Sequence, residues 1–477
     1  MPYSTPRDPR PRIVFAGISG GGGKTIASLA VSRAWGNQGL RLAPFKKGPD
    51  YIDAAWLSAA ASAQTANLDP YFLEADLLRA QFRSASRGAI LSIIEGNRGL
   101  FDGKDVDGSC STAELARLLL APVVLVLDAT KMTRTAAAIV AGCKNFEPGL
   151  NLAGVILNRT AGKRHRAILR ESIESAAGVP VLGILPKLPE NPIPERHMGL
   201  TSLHEPDAGV HDRERALDGL GLLAEEWIDL EALRRIAECA PPLPDCPSSP
   251  WPDQPTARQP HVRIGLVRDA ALWFYYPENI EALQRAGAEI VPLSILDPAP
   301  WPEIHGLYLG GGFPETMAAN ISQNVTVRAR VKTLAEDGLP IYAECGGFMY
   351  LCREIERDGV SHPMAGVFPL RVSQCVKPQG LGYTEAEVVA ENPYHPLGAR
   401  LKGHEFHYSR CEITPEAPAD YALKLTRGRG ACAGRDGLLH KNTLAGYNHI
   451  HALAAPHWAQ RFTDLARGYA AARTSLS

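Results

Sequence analysis

The stretch Arg12–Thr25, RIVFAGISGGGGKT, decides the fold of the first half of the chain. A β-branched apolar run is followed by four consecutive glycines, and then by Lys24 and Thr25 at the start of an Ala-rich helical pattern. The strict phosphate-loop spacing requires glycine where Ile18 stands, so that spacing is not met. Strand, glycine loop and helix still follow in the order that lets backbone N–H groups converge on a phosphate.

This loop predicts nucleotide binding. A flexible glycine turn without a ligand is the alternative, which the attached Gly-Lys-Thr disfavours. Lys24 supplies a positive charge, and the Thr25 hydroxyl is suited to hold magnesium. Asn158 ends the run LAGVILNR (152–159), and it either presents its amide to a purine edge or is a loop asparagine. The candidate nucleotide-binding residues are Gly20, Gly21, Gly22, Gly23, Lys24, Thr25 and Asn158.

Acidic residues for a metal ion follow later strands. Glu95 ends AILSIIEG (89–96), at the carboxyl edge where open α/β sheets bind ligands. Asp50 and Asp53 flank a Pro-Asp turn in KKGPDYID (46–53), where turn chemistry, a solvated face or a helix cap are the alternative explanations. The candidate magnesium ligands are Thr25, Glu95 and Asp53.

Short apolar strands alternate with helical patterns on both sides of a proline-rich segment. Runs such as PVVLVLDA (122–129) are continuously apolar, which is typical of a parallel sheet covered on both faces. The segment 240–261 holds eight prolines, so it cannot form a helix or a central strand. We therefore predict two α/β domains, residues 1–240 and 262–477, with a linker at 241–261.

Bulk composition argues against several classes of protein. The 477 residues carry a formal net charge of -1, which gives no basic face for nucleic acid or an anionic membrane. The longest apolar run, 118–127, is short of the ~20 residues that a membrane span needs, and the polar start of the chain has no signal-peptide core. We expect a cytoplasmic protein. Nine cysteines without a CxxC pair favour free thiols.

One cysteine stands apart from the other eight. In IYAECGGFMY (341–350), Cys345 follows a short apolar strand and precedes two glycines and a helical pattern that runs past Cys352. A nucleophile at such a turn is exposed by geometry, and we expect the helix N-terminus to lower its pKa. Downstream, His449 and His451 alternate, so a strand would place both on one face as candidate bases.

A glycine-rich loop, LGGGFPE (309–315), follows another predicted strand. Its backbone N–H groups are suited to an oxyanion hole, and a simple turn is the alternative. The candidate oxyanion-hole residues are Gly311, Gly312 and Gly346. The candidate catalytic residues are Cys345, His449 and His451. The order of glycine loop, cysteine and histidine is one arrangement that hydrolyses amides.

Motifs in both halves resemble one known family. GGGFPE (310–315), YAECGGFMYL (342–351), HEFHYS (404–409) and YNHIH (447–451) resemble the glutaminase domain of cobalamin-pathway amidotransferases, which lack the usual Glu after the catalytic His. The first half matches through GISGGGGKT (17–25), KKGPDYIDAAW (46–56), NLDPYF (67–72), EGNRGLFDG (95–103) and IPERHMGL (193–200). The pattern resembles the cobyrinate a,c-diamide synthase family.

The resemblance implies both a fold and a reaction. The fold is α/β: a phosphate-loop domain like that of dethiobiotin synthetase, then a class I-like triad glutamine amidotransferase domain. Cys345, with His449 as base, releases ammonia from glutamine, while ATP and Mg²⁺ activate a tetrapyrrole carboxylate for amidation at the a and c acetates. The implied synthetase residues are Asp50, Tyr51, Asp53, Glu95 and Asp102. Relatives also imply a homodimer.

Two departures from the family pattern leave the macrocycle open. Lys47 and the pair Asn97–Arg98 stand where the family usually carries apolar residues. Arg98 either pairs with a substrate carboxylate in bidentate fashion or is a surface arginine near phosphate. An arginine here also resembles relatives that amidate sirohydrochlorin, nickel-sirohydrochlorin or siroheme. A further hypothesis is a nucleotide-switch regulatory protein with a non-functional glutaminase domain.

Overall fold

The computed structural model describes residues 9–188, 193, 195–196, 199–200, 210–252, 262–412 and 420–474. The chain divides into two compact units, residues 1–252 and 253–477. Positions 194, 197 and 198 of the motif 193–200 and the second part of the predicted linker, 253–261, lie outside the described residues. No helix in the described ranges is long and apolar enough to cross a membrane.

The first unit is built on a parallel sheet. In its described part, seven strands pair in the order β3-β2-β4-β1-β5-β6-β7, and every neighbouring pair is parallel. The strands are β1 Arg12–Gly17, β2 Leu42–Lys47, β3 Ala66–Leu68, β4 Leu91–Gly99, β5 Val123–Asp128, β6 Leu152–Thr160 and β7 Val181–Pro186. A separate antiparallel pair joins β8 Glu195–Arg196 to β9 Gly199–Leu200.

Helices cover this sheet, which explains its apolar strands. All six residues of β1 are buried, as are the first five of β5. The helices are α1 Lys24–Asn37, α2 Ile52–Ala61, α3 Ala75–Ala85, α4 Thr112–Leu118, α5 Arg134–Phe146, α6 Lys163–Ala177, α7 Val210–Trp227 and α8 Leu230–Glu238. The parallel sheet that the sequence predicts is confirmed.

A capping box starts α4. Ser111 Oγ accepts a hydrogen bond from Glu114 N at 3.2 Å, and the Glu114 carboxylate accepts one from Cys110 N. The first contact satisfies a backbone donor that the helix start leaves unpaired, and the second holds the residue before the N-cap. Ser111 and Glu114 stand at the capping-box spacing in the sequence, which predicts a helix start here, and α4 runs from Thr112 to Leu118.

The proline-rich segment begins by packing on the first unit. Arg12 is fully buried, and its guanidinium donates to the carbonyls of Leu119 and Pro241 at 2.6 and 2.5 Å. Arg83 donates to the carbonyl of Cys246 at 3.2 Å. Residues 241–252 are thus held by side chains of the first unit.

The second unit has a mixed ten-stranded sheet, ordered β12-β10-β13-β15-β24-β23-β22-β19-β20-β25 in the described residues. Its sheet strands are β10 Val262–Val267, β12 Ala288–Leu293, β13 Gly306–Leu309, β15 Ile341–Glu344, β19 Gly380–Val388, β20 Arg400–His407, β22 Tyr421–Arg427, β23 Arg435–His440, β24 Thr443–Gly446 and β25 His449–Ile450. Strands β12 to β24 pair in parallel, and the rest pair antiparallel.

Smaller elements complete this unit. A pair joins β11 Leu272–Phe274 to β14 Gly311–Gly312, and a four-stranded sheet holds β16 Cys352–Arg357, β17 Val360–Pro363, β18 Phe368–Gln374 and β21 Ser409–Glu412. The helices are α9 Pro277–Arg285, α10 Ala318–Gln323, α11 Val325–Glu336, α12 Gly346–Leu351 and α13 Trp458–Thr474, with a 3₁₀ turn at Pro314–Met317.

Two sequence-based expectations differ from this unit. The helical pattern after Cys345 ends at Leu351, and Cys352 begins strand β16 instead of continuing the helix. The antiparallel half of the sheet is also not predicted, because its strands alternate in burial, as β19 does, rather than forming continuous apolar runs. The predicted parallel half is confirmed.

Candidate active site

The glycine loop lies between β1 and α1 as predicted. Gly21 and Gly23 have φ of 75° and 93°, a left-handed backbone that side chains rarely adopt. A β-carbon built on Gly23 would overlap the side-chain amide of Asn158. Asn158 Nδ2 also donates to the Gly22 carbonyl at 3.2 Å. Asn158 therefore packs directly beneath the loop and supports it, which is an alternative to contacting a purine.

A buried cluster of charged residues stands beside the loop. Strand register pairs Lys46 with Glu95, so their side chains leave neighbouring strands at the same level. Lys46 Nζ lies 2.8 Å from Glu95 Oε1 and 2.6 Å from Asp53 Oδ2. Glu95 also accepts hydrogen bonds from the hydroxyls of Thr25 and Ser28, each at 2.7 Å. The structure thus brings the predicted Thr25, Asp53 and Glu95 together around Lys46.

The pKa values of Asp50 and Asp53 are shifted in opposite directions. Burial and the neighbouring Asp53 raise the pKa of Asp50 to about 7, although 28% of its side chain is exposed. Burial acts in the same direction on Asp53, but the Lys46 ammonium outweighs it and lowers the pKa of that carboxyl. Burial, with Lys46 adding to it, lowers the pKa of Lys24. The pKa of Asp50 is therefore raised and that of Asp53 is lowered, so of the two carboxyls Asp50 is the one that binds a proton more readily.

The end of β4 departs from regular pairing. Phe15 and Gly17 of β1 oppose Glu95 and Gly99 of β4, so β4 holds extra residues between these pairs. Arg98 lies in this bulge with φ of 52° and an exposed side chain. The bulge explains why the strand continues past the predicted end at residue 96, and it leaves the Arg98 side chain available at the carboxyl edge.

The remaining predicted synthetase residues, Asp102 and Tyr51, lie in the turn after β4 and just before α2. Asp102 is exposed, and its Oδ2 accepts a hydrogen bond from Gly99 N at 2.9 Å, so it closes the turn after the bulge. Tyr51 precedes α2 and is partly buried. The hydrogen bond from Gly99 N explains an aspartate at position 102 as part of this turn.

Cys345 lies at a tight strand-to-helix turn between β15 and α12. Its φ of 47° and ψ of -102° are unusual for a residue with a side chain. The backbone is held on both sides, because Cys345 N donates to the Gly446 carbonyl at 2.7 Å and Met349 N donates to the Cys345 carbonyl at 2.9 Å. This is the strained geometry that the sequence predicts for a nucleophile.

The three predicted segments of the second site meet at one place. Strands β13, β15 and β24 are parallel neighbours, and the glycine loop, Cys345 and His449 follow their carboxyl ends. A β-carbon on Gly346 would stand 2.8 Å from Gly312 N, and one on Gly311 would stand 2.5 Å from His449 Cε1. The loop backbone therefore packs against both the nucleophile turn and the imidazole ring.

The two histidines contact different acids. His449 Nδ1 lies 3.7 Å from Glu344 Oε2, whereas His451 Nε2 lies 3.6 Å from Glu278 Oε2. Strand β25 ends at Ile450, so His451 lies beyond it. Its Nδ1 accepts a hydrogen bond from Leu453 N at 3.3 Å, which ties the ring to the turn that follows.

The expected exposure of Cys345 and the expected low pKa of its thiol are both wrong for this structure. Cys345 is only 4% exposed, and α12 is a short helix of six residues. Burial first, and then the charge of Glu315, raise the pKa of the Cys345 thiol. Glu315 itself lies in the 3₁₀ turn after Gly312, and burial raises its pKa to about 7. Nucleophile activation therefore depends on a neighbouring base rather than on the helix.

Comparisons with known proteins agree with this geometry. Residues 13–200 match the CobQ/CobB/MinD/ParA nucleotide binding domain, and residues 263–457 match the CobB/CobQ-like glutamine amidotransferase domain. The cobyrinate a,c-diamide synthase of Magnetococcus marinus is 39% identical over 96% of this chain and 97% of its own. The chain belongs to the cobyrinate a,c-diamide synthase family. The Archaeoglobus fulgidus member is 37% identical over 96% of this chain and 97% of its own.

Membership in the cobyrinate a,c-diamide synthase family confirms the resemblance and the α/β fold class. Three residues that the sites contain are not singled out by the sequence motifs, and Lys46 and Glu344 are two of them. A charged residue inside an otherwise apolar strand, as in LAPFKK or IYAE, is the signal that identifies both. Glu315, at the end of the glycine motif, has no such signal.

Gly23→Ala tests the loop geometry. The new β-carbon would need a left-handed backbone and would collide with Asn158, so we expect ATP affinity to fall by at least about ten-fold. Isothermal titration calorimetry with ATP and magnesium measures this affinity. Gly142→Ala is the matched control, because Gly142 lies in helix α5 with open space around it and should bind ATP normally. Equal affinity in both variants would contradict a loop that requires Gly23.

Glu315→Gln tests the electrostatics of the thiol. A Glu315 carboxylate, present above pH about 7, disfavours the thiolate, so its removal should speed alkylation of Cys345 by iodoacetamide several-fold at pH 8. Below pH 6 the native carboxyl is protonated and the two proteins should react alike. Peptide mass spectrometry at Cys345 gives the rates, with the exposed Glu303→Gln as control. Unchanged alkylation at pH 8 would show that Glu315 does not act on the thiol.

Proposed function

We propose that this chain is an ATP- and glutamine-dependent ligase that amidates the a and c acetate side chains of a cobyrinate-type tetrapyrrole. The observation that carries the proposal is the second site, where strained Cys345, His449 and the glycine loop meet in the same chain as a phosphate loop. Relatives named cobyrinate a,c-diamide synthase, 36–39% identical over nearly their whole length, support the substrate.

Cys345 and His449 suit the hydrolysis of glutamine. The thiol sulfur attacks the side-chain amide carbon, and its proton passes to His449 and then to the departing nitrogen, which leaves as ammonia. The thioester is then hydrolysed by water to release glutamate. Backbone N–H groups near Gly311, Gly312 and Gly346 are our candidates for holding the negative oxygen that forms on the amide carbon. His451, tied to Leu453 and Glu278, supports this turn rather than acting as the base.

The phosphate-loop unit suits activation of the carboxylate. A macrocycle carboxylate oxygen attacks the terminal phosphorus of ATP, and ADP leaves. Ammonia then attacks the carbonyl carbon of the acyl phosphate and phosphate leaves, which forms the amide. The loop glycines and Lys24 bind the phosphates, while Asp50, with its pKa near 7, is placed to exchange a proton.

The residues beside Thr25 fit a magnesium ion bound mainly through the nucleotide. Thr25 offers a hydroxyl oxygen, and Glu95 orients it through the 2.7 Å hydrogen bond. Magnesium commonly uses one or two protein oxygens together with phosphate oxygens and waters, and it neutralises the charge that develops on the phosphates. Asp53 is engaged by Lys46, so we assign it to holding that ammonium rather than to the metal. In the described residues no group of three or more His, Cys, Asp or Glu is arranged as a metal site.

Two variants test whether the activities are separate. Cys345→Ser should lower glutamine-dependent amidation by more than about 1,000-fold, because the nucleophile is lost, while amidation from added ammonia should continue. Lys24→Ala should abolish both, because phosphate activation fails. Product formation is measured by mass spectrometry, with Cys143→Ser in helix α5 as the control thiol. Loss of ammonia-dependent amidation in a folded Cys345→Ser protein would contradict the two-site proposal.

The macrocycle is tested by offering cobyrinic acid, sirohydrochlorin, nickel-sirohydrochlorin and siroheme separately with ATP, glutamine and magnesium. We expect two amides on cobyrinic acid. Arg98→Ala should raise the macrocycle KM by about ten-fold or more with little change for ATP, because Arg98 is exposed at the carboxyl edge and suited to pair with a carboxylate. Preference for a sirohydrochlorin-type ring would replace cobyrinate as the substrate. ATP hydrolysis with no amidated ring would favour a nucleotide-switch protein.

A further inference from the structure

A buried acid directly precedes the nucleophile. Glu344 is the last residue of β15, and it is 1% exposed in a strand whose other residues are apolar. Burying a carboxylate is costly unless hydrogen bonds or opposite charges compensate it. An apolar residue here would pack in the sheet without that cost, so the presence of Glu344 calls for a chemical reason.

The oxygens of Glu344 are held by residues on neighbouring elements. Oε1 accepts a hydrogen bond from Ile450 N at 3.0 Å, and Oε2 accepts one from Tyr308 OH at 2.9 Å. Oε2 also lies 3.7 Å from His449 Nδ1. Ile450 follows His449 in the chain, so the same carboxylate contacts the backbone that carries His449 and faces its ring.

Asn279 positions the groups that donate hydrogen bonds to Glu344. Asn279 Nδ2 donates to Tyr308 OH at 3.1 Å and to the Ile450 carbonyl at 3.0 Å, and its Oδ1 accepts from Ala452 N at 2.7 Å. The ring of His404 stacks on a face of the His449 ring with 4.6 Å between centroids. The imidazole therefore contacts a stacked ring on its face and a fixed carboxylate near Nδ1.

The alternative acid for the base is less suited to the role. His451 stands two residues after His449. Glu278 faces His451 Nε2 at 3.6 Å, while His451 Nδ1 is engaged by Leu453 N. Glu278 thus faces His451, whereas Glu344 faces the ring of His449 and accepts a hydrogen bond from the backbone of Ile450.

We propose that Glu344 is a positioning residue for glutamine hydrolysis, orienting His449 through Nδ1 so that Nε2 takes the thiol proton. A carboxylate at Nδ1 favours the tautomer with its proton there, which leaves Nε2 as the acceptor. Strand β15 thereby supplies both the nucleophile and the acid that orients its base, in consecutive residues. The proposal rests on the glutaminase activity proposed above.

Glu344→Gln is the main test, because it keeps the shape of the side chain and removes its charge. We expect kcat for glutamine hydrolysis to fall by about 100-fold with KM within about three-fold, and ammonia-dependent amidation to match the native protein. Glu278→Gln, a matched buried acid facing the other histidine, should lower kcat far less. A double variant, Glu344→Gln with His449→Ala, should be no slower than His449→Ala alone, since both changes remove one function.

Several outcomes would overturn the proposal. The first is a kcat of Glu344→Gln within about three-fold of the native value, and the second is a larger loss of kcat in Glu278→Gln. The third is a double variant in which the two losses of kcat multiply, as a purely structural role of Glu344 predicts. If Glu344→Gln does not fold, Glu344→Asp decides, since it keeps the charge and withdraws the carboxylate from His449; native kcat there would overturn the proposal. Native protein without glutaminase activity would instead refute the proposed function.

Discussion

Both sites depend on the constraint that parallel neighbouring strands end at the same edge of a sheet. In the first unit this edge joins the loop after β1 to Glu95 on β4 and Lys46 on β2. In the second unit it joins the glycine loop after β13, Cys345 after β15 and the segment after β24 that carries His449. Residues far apart in the chain therefore meet without any long loop, and each unit needs only short turns of unusual backbone geometry.

Buried charged side chains are stabilised by different contacts in the two units. In the first, Lys46 lies between Asp53 and Glu95, so charges of opposite sign compensate one another away from water. In the second, Glu344 is stabilised by a tyrosine hydroxyl and a backbone amide, with an imidazole close by. The first arrangement is a compact ion cluster, whereas the second holds a buried acid mainly through hydrogen bonds from neutral groups.

Local patterns in the sequence predict much of the fold and the main reactive groups. Continuous apolar runs predict the parallel strands, Ser111 and Glu114 predict a helix start, and the surroundings of Cys345 predict a strained turn. The antiparallel half of the second sheet and the strand at Cys352 depend on tertiary pairing, which a local pattern does not contain. The thiol pKa depends on burial and on Glu315, and both are properties of the folded chain.

The bulge at Arg98 has a consequence for how this scaffold diversifies. Arg98 lies outside the regular pairing of β1 with β4, and its side chain is exposed at the carboxyl edge of the sheet. A change of side chain there alters the surface presented at that edge while the buried strands keep their register. On the proposal that Arg98 pairs with a substrate carboxylate, specificity and stability are encoded at separable positions, and a change at residue 98 would alter the ring that is bound without rebuilding the core.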